Sequence, residues 1–294
     1  MTGVQTGPDC LPCLRRQGLD AIQFATGDIE RRTQALREVQ RSLDHVDFAL
    51  SPATASQRLH RRIRELTGHP DPYRSVKSRS TMWARELVPE LSVLLERVQD
   101  PLEMALRLAV AANSLDFGAP GGADEVLEPR LPLDVEHHPF HGDVREFARA
   151  VAGAREVLYL ADNAGELVFD ELLIRRIGAE RVTLVVRGGP VLNDATITDA
   201  LESGLSDLVP VMTNGSDAPG TLLGDASDAF RRRFARADLI IAKGQGNHET
   251  LTAAAADIFF LFKVKCPRVA AHTGLPQGTH AVLRSAHRSG TALP

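Results

Sequence analysis

Val157-Leu158-Tyr159-Leu160-Ala161-Asp162-Asn163-Ala164-Gly165-Glu166 reads as a buried strand that ends in a cluster of oxygen-bearing side chains. Open parallel sheets place their ligands outside the carboxyl ends of the strands. A carboxylate, an amide and a second carboxylate at such an end suit a hard divalent cation such as Mg2+. Gly165 relieves the backbone at the turn, and the residues after it look helical. Asp162 or Asn163 serves equally well as the cap of that helix. The rest of the chain has to separate the two readings.

Downstream, short apolar runs at 182–186, 208–212, 239–242 and 269–271 alternate with helical stretches at 166–177, 195–203, 221–236 and 248–256. The segment 259–264 is ambiguous between strand and helix. Such alternation predicts an α/β fold, a three-layer α/β/α domain with a mainly parallel sheet. Upstream the pattern is different. Residues 14–26, 29–47, 52–67, 80–99 and 101–114 space their apolar side chains three and four apart, as helices do. Ser51-Pro52 has the form of an N-cap followed by Pro at the first helical position. Residues 115–141 are rich in Gly, Pro, Asp and His and read as a long connection, and 142–153 as one more helix. The expected division is a helical domain with its connecting loop at 1–141 and an α/β/α domain at 142–294.

A chain of 294 residues favours two domains or one large one. With 43% hydrophobic and 24% charged residues it is of ordinary soluble composition. Aromatics are only 5%, so aliphatic side chains must fill the core. A net charge of -4 gives no electrostatic reason to expect nucleic acid as a partner. Arg231-Arg232-Arg233, flanked by Phe230 and Phe234, reads as a solvated helix face. No apolar run approaches the roughly 20 residues of a membrane span, and residues 1–20 lack the apolar core of a secretory leader. A cytoplasmic location is expected, and there the three cysteines would remain thiols.

Two further polar clusters follow predicted strands. Arg187-Gly188-Gly189-Pro190-Val191-Leu192-Asn193-Asp194 is a turn, with Asp199 just beyond it on a short helix. Turn chemistry alone explains its Gly, Pro and Asn. Yet Asp199 lies where it can face Asp162 across the sheet edge and complete a sparse Mg2+ site. The other cluster is Lys243-Gly244-Gln245-Gly246-Asn247-His248-Glu249. Glycines between a strand and a helix let the backbone approach an anion, and Lys243 adds positive charge for a phosphoryl group. It is neither a P-loop nor a dinucleotide fingerprint, and His248-Glu249 lacks the second His of a zincin helix. An acidic, a mixed and a basic cluster at successive strand ends fit a site for metal and phosphate.

The chain resembles the damage-control phosphatase family, formerly the domain-of-unknown-function 89 family. The matching segments are Cys10-Leu11-Pro12-Cys13, Asp71-Pro72-Tyr73, Asn113-Ser114-Leu115-Asp116-Phe117-Gly118, Asp162 to Glu166, Lys243 to Asn247 and Lys265-Cys266-Pro267. The cysteines resemble the prokaryotic subgroup with a CxxC near its start. The resemblance implies a divalent-cation-dependent phosphatase acting on small phosphorylated metabolites. It implies metal ligands at Asp162, Asn163 and, by spacing, Asp199, and a phosphate-binding Lys243. Asn113 and Asp116 are implied as pocket residues from the helical side. Ala112 and His248 depart from the family's usual Gly and aromatic residue.

The function expected is hydrolysis of phosphomonoesters, of sugar phosphates or of damaged cofactor intermediates, with Mg2+, Mn2+, Co2+ or Ni2+ as cofactor. Asp162, Asn163 and Lys243 would carry the chemistry, with either water or Asp162 as nucleophile. Asn193, Asp194, Gly244, Gly246, Asn247 and Glu166 are further candidate substrate contacts. Cys10, Cys13 and Cys266 form a candidate second metal site or redox site. His137, His138 and His141 read as a solvated loop. The rival readings are a non-catalytic module that binds phosphorylated metabolites, and a carboxyl methyltransferase. The latter lacks a glycine-rich cofactor loop after the first strand.

Overall fold

The computed structural model describes residues 4–113, 135, 138 and 140–285. Asp116 and His137 therefore lie outside the described residues. The chain begins with α1 (Leu11–Ala25), α2 (Ile29–Asp44), α3 (Pro52–Thr67), α4 (Arg74–Arg97) and α5 (Pro101–Ala112). Their starts follow from local chemistry. Asp28, Ser51 and Asp100 each accept a hydrogen bond from the backbone N–H three residues on, and Pro52 and Pro101 open their helices. Gly68 ends α3 at φ 69°, a left-handed turn that a side chain would strain.

The remainder alternates as the sequence predicts: β1 (Phe140–His141), α6 (Val144–Gly153), β2 (Val157–Leu160), α7 (Leu167–Ile177), β3 (Val182–Val186), α8 (Ile197–Ser203) and β4 (Val211–Thr213). Then come α9 (Asp228–Arg236), β5 (Leu239–Lys243), α10 (Gly244–Leu251), β6 (Ile258–Lys263), α11 (Pro267–Thr273) and β7 (His280–Arg284). The seven strands form one sheet in the order β1-β7-β6-β5-β2-β3-β4. Every pairing is parallel except β6 with β7. The mainly parallel α/β/α sheet is thus as expected.

Four elements depart from or resolve the sequence reading, the first being β1, a two-residue strand within the stretch that reads as a connection. Residues 269–271 are helical, because Cys266 and Pro267 start α11 there and Val269 turns into the core. The segment at 259–264 resolves as β6. The antiparallel strand β7 has only a short apolar stretch and no preceding helix of parallel-crossover length, and periodicity did not single it out.

Alternation along each strand explains the layers. Val157, Tyr159, Leu184, Ile241 and Phe259 face a core shared with α4 to α7. Leu158, Leu160, Val185, Ile240 and Phe260 face Phe230 and Phe234 of α9, Leu251 of α10 and Val269 of α11. A third core holds α1, α2 and α3 together through Leu14, Ile22, Val39, Leu59 and Ile63. The cores do not divide at residue 141, the expected domain boundary. Leu91, Leu95, Met104 and Leu108 of α4 and α5 belong to the core of the sheet. No described helix is long and apolar enough to cross a membrane.

From β2 the chain proceeds outward to β3 and β4, then returns to place β5 on the other side of β2. The strand order reverses between β2 and β5, and ligands of open α/β sheets bind at such a point. Leu160 pairs with Ala242, so Asp162 emerges level with the start of α10.

Candidate active site

Asp162 and Asn163 leave β2 and are tied to the turn after β3. Ala164 N–H donates to Asn193 O at 2.9 Å and Ala195 N–H to Asp162 O at 2.7 Å. Between these bonds Asn163 and Asp194 form an isolated antiparallel bridge. The backbone thereby brings the Asp194 carboxyl to the Asp162–Asn163 pair. Gly244, at φ 80°, makes room on the opposite side, where a Cβ would overlap the Asp162 carboxylate.

Side-chain amides orient the cluster. Asn163 Nδ2 donates to Glu166 Oε1 at 2.7 Å, which leaves Asn163 Oδ1 as the oxygen available to a ligand. Asn113, at the end of α5, donates through Nδ2 to Asp162 Oδ2 at 2.9 Å and to Glu166 Oε1 at 2.8 Å. Its Oδ1 accepts from the Lys263 N–H at 3.2 Å. Asn113, with no exposure, therefore fastens the helical side to the site from beneath the cleft lining.

Burial, then the charges of Asp194 and Glu166, push the Asp162 carboxyl up to about 7, against the opposing pull of Arg187 and Lys265. Asp194 is also raised by burial, with Arg187 opposing. Burial works on Glu166 in the same direction, but Lys243 and Lys265 outweigh it and hold that carboxyl below its ordinary range.

Three expected residues stand elsewhere. Asp199 does not face Asp162. One of its oxygens takes the N–H and hydroxyl of Thr196 at 2.8 and 2.6 Å, completing a capping box, and Lys77 reaches the same oxygen at 3.0 Å. Arg74 reaches the other oxygen at 3.1 Å. Its charge is spent on α4 and on the start of α8. Lys243 is wholly buried beneath the site, with Nζ 2.8 Å from Glu166 Oε2 and 2.7 Å from Asp170 Oδ1. Tyr159 OH donates to the same Asp170 oxygen at 2.7 Å. Asn247 is likewise a strut. Its Nδ2 donates to Ala161 O and Lys243 O, and its Oδ1 accepts from Thr221 at 2.8 Å.

A cleft of about 990 Å³ opens over Asp162, Asn163, Asn193 and Asp194. Gly246 and Gln245 of α10 form one wall, and Lys263 and Lys265 another. Lys265 is the cation whose field reaches both Asp162 and Glu166 from the cleft side. It lies within Lys265-Cys266-Pro267, where nothing local in the sequence assigns it a role. The available signal was a charged residue two positions beyond Lys263, on the same edge. Cys10, Cys13 and Cys266 line the mouth of this cleft, and Gln245 Nε2 is 3.5 Å from Cys266 Sγ. All three are free thiols. Among the described residues no three His, Cys, Asp or Glu side chains form a metal-binding group. The rings of His138 and His280 lie 4.0 Å apart at a tilt of 34°, away from the cleft lining.

Residues 6–281 match the profile of the damage-control phosphatase ARMT1-like domain. The chain belongs to that family. It is 32% identical over 283 residues to Damage-control phosphatase PH1575 of Pyrococcus horikoshii, a match covering 94% of this chain and 97% of that protein. A damage-control phosphatase of Archaeoglobus fulgidus is also 32% identical, with the same coverage of each chain. The crystal structure of the DUF89 family protein PH1575 superimposes with a TM-score of 0.84, over 96% of this chain and 99% of that one. The resemblance carried by the short motifs thus extends through the whole fold of this damage-control phosphatase family member.

Proposed function

We propose that the protein is a divalent-cation-dependent phosphatase that hydrolyses phosphomonoesters of small metabolites, and that Asp162, Asn163 and Asp194 hold its cation. The carrying observation is the convergence of these three side chains on the floor of one cleft, at the strand-order reversal, in a chain of a phosphatase family. The donor set fits the group. It offers hard oxygens only, few enough to leave places for water, which suits Mg2+ and equally Mn2+. Two buried carboxylates, 9% and 3% exposed, repel one another, and a divalent ion offsets that repulsion. Co2+ and Ni2+ satisfy the same set.

When bound, the cation polarises the phosphoryl group and offsets its charge. The other tasks belong to side chains and backbone. Lys265 and Lys263 bring positive charge to the cleft wall for the phosphoryl oxygens. The N–H groups at the start of α10, beside Gly244 and Gly246, point their dipoles to the same place. Asn193 contacts the substrate from the floor. Lys243 acts from below by keeping Glu166 ionised, and Glu166 in turn orients the amides of Asn113 and Asn163. Sugar phosphates and phosphorylated cofactor fragments fit a polar cleft of this kind.

Protein stripped with a chelator is expected to release no phosphate from p-nitrophenyl phosphate and to regain release with Mg2+, Mn2+, Co2+ or Ni2+. Asp162→Ala is expected to abolish it. Release that ignores both treatments would overturn the reading. Binding of a sugar phosphate with no release under any cation would favour a non-catalytic module instead.

A further inference from the structure

We propose that Arg187 is a positioning residue of the cation site, one that sets the two aspartates in their binding geometry before the cation arrives. The inference rests on the reading of Asp162, Asn163 and Asp194 as cation ligands. Arg187 directly follows β3 and is 2% exposed. Its Nε donates to Asp194 Oδ2 at 2.7 Å. Its Nη1 is 3.3 Å from Asn247 Oδ1 and 3.5 Å from Thr221 Oγ1. Its Nη2 makes no hydrogen bond and stands 3.6 Å from Asp162 Oδ1. One planar fork thus spans both carboxylates, anchored by Asn247 and Thr221 behind it. The main chain adds a further tie, since Arg187 N–H donates to Ala195 O at 2.8 Å.

A buried guanidinium with an unsatisfied N–H is costly, and native structures seldom keep one without a reason. Here the reason is geometric. Drawing Nη2 into a full hydrogen bond with Asp162 would pull that carboxylate off the position shared with Asn163 and Asp194. The fork instead holds Asp194 firmly and leaves Asp162 within its field. No other lysine or arginine among the described residues forms an ion pair with Asp162 or Asp194. Lys243, the cation the sequence suggests for the site, is committed to Glu166 and Asp170.

Charge balance makes the same case. Two ionised aspartates and Arg187 sum to one negative charge. A divalent cation turns this into one positive charge, suited to a phosphoryl dianion. A lysine could supply the charge but not the fork, because its ammonium is a point donor.

The test is Mn2+ binding by titration calorimetry and by electron paramagnetic resonance, on wild type, Arg187→Lys, Arg187→Met and Thr221→Val. Partners that orient metal ligands commonly contribute about 10–100-fold to affinity. Both Arg187 variants are expected to weaken Mn2+ binding at least about tenfold, the lysine included. Thr221→Val keeps every charge and loosens only the anchor. It is expected to weaken binding in the same direction by less, and it guards against a variant that fails to fold. Unchanged affinity in the folded variants would overturn the proposal, as would tighter binding in Arg187→Met, which marks a residue acting by charge alone. If wild type binds no Mn2+, the cation site itself fails. If wild type binds and all variants match it, only the role of Arg187 fails.

Discussion

With Asp162 as a proposed cation ligand, a proton and a divalent cation compete for its carboxyl. Burial first, then Asp194 and Glu166, hold its carboxyl at about 7 in the cation-free protein, against an ordinary 3.8. Below that pH the cation must displace a proton, and above it the carboxylate stands ready. Mn2+ affinity is therefore expected to rise by about tenfold per pH unit up to neutrality and then level off. Calorimetry between pH 5.5 and 8.5 reads this directly, and a flat profile would remove Asp162 from the ligand set. A second contrast separates two aspartates five residues apart. Asp194→Asn is expected to weaken Mn2+ binding at least about a hundredfold, beyond the usual effect of residues one shell out. Asp199→Asn is expected to leave Mn2+ affinity unchanged but to lower stability by about 2 kcal/mol, since the buried Lys77 then keeps only Asp71 as its carboxylate partner. Nothing local in the sequence distinguishes the two. Arg187 and Lys77 make the choice, and they arrive from β3 and α4, through pairings that no short pattern reveals.

The short 3-10 turn Ala164–Glu166 and the first turns of α7 carry a buried charge network: Glu166, Asp170 and Lys243, all with no exposure. Removing one partner of such a network leaves uncompensated charge. Lys243→Met is expected to lower stability by about 3–5 kcal/mol, with the folded fraction keeping its KM for a phosphomonoester. Raised KM at unchanged stability would return Lys243 to the role of phosphate ligand that its place before two glycines implies. The apolar runs of β2, β3 and β5 were plain in the sequence because strands buried on both faces need no polar alternation. Elements shaped by their neighbours were harder to read. Val269, Ala270 and Ala271 look like a strand, yet Pro267 sets a helix start and the core behind β6 accepts Val269. The start of α1 offers a chemical probe of the cleft mouth. Burial pushes the Cys10 thiol up, so alkylation by N-ethylmaleimide is expected to be slow at pH 7 and faster at pH 9. A group added there narrows the mouth, so KM should rise while Mn2+ affinity stays fixed.

At the scale of the whole molecule, the cleft exists because α1 to α4 are clamped to the sheet layer. Gln57 and Arg64 reach Asp217 at 2.8 and 2.5 Å, and Lys77 bridges Asp71 and Asp199 at 2.7 and 3.0 Å. Closing the cleft buries carboxyls, and that couples folding to pH. Glu249 of α10 lines the wall, and burial raises it from 4.5 to about 7, against a hydrogen bond from Gln245. Between those values the folded protein keeps a proton that the unfolded chain has released. Stability therefore falls as pH rises through this window, by at most about 3 kcal/mol for Glu249. Asp162 acts in the same sense over a similar range. The two contributions can be told apart, because the proposed cation site includes Asp162 and not Glu249. Thermal unfolding of the chelated protein is expected to weaken from pH 5 to pH 8. Saturating Mg2+ should recover the part due to Asp162, and Glu249→Gln, which keeps the volume and a polar partner for Gln245, should recover the other part with or without Mg2+. The variant and wild type should coincide near pH 4.5. A Glu249→Gln protein whose loss of stability on raising the pH equals that of wild type would show that this carboxyl is hydrated in solution, and that the cleft opens to water farther down α10 than the packing around Gln245 implies.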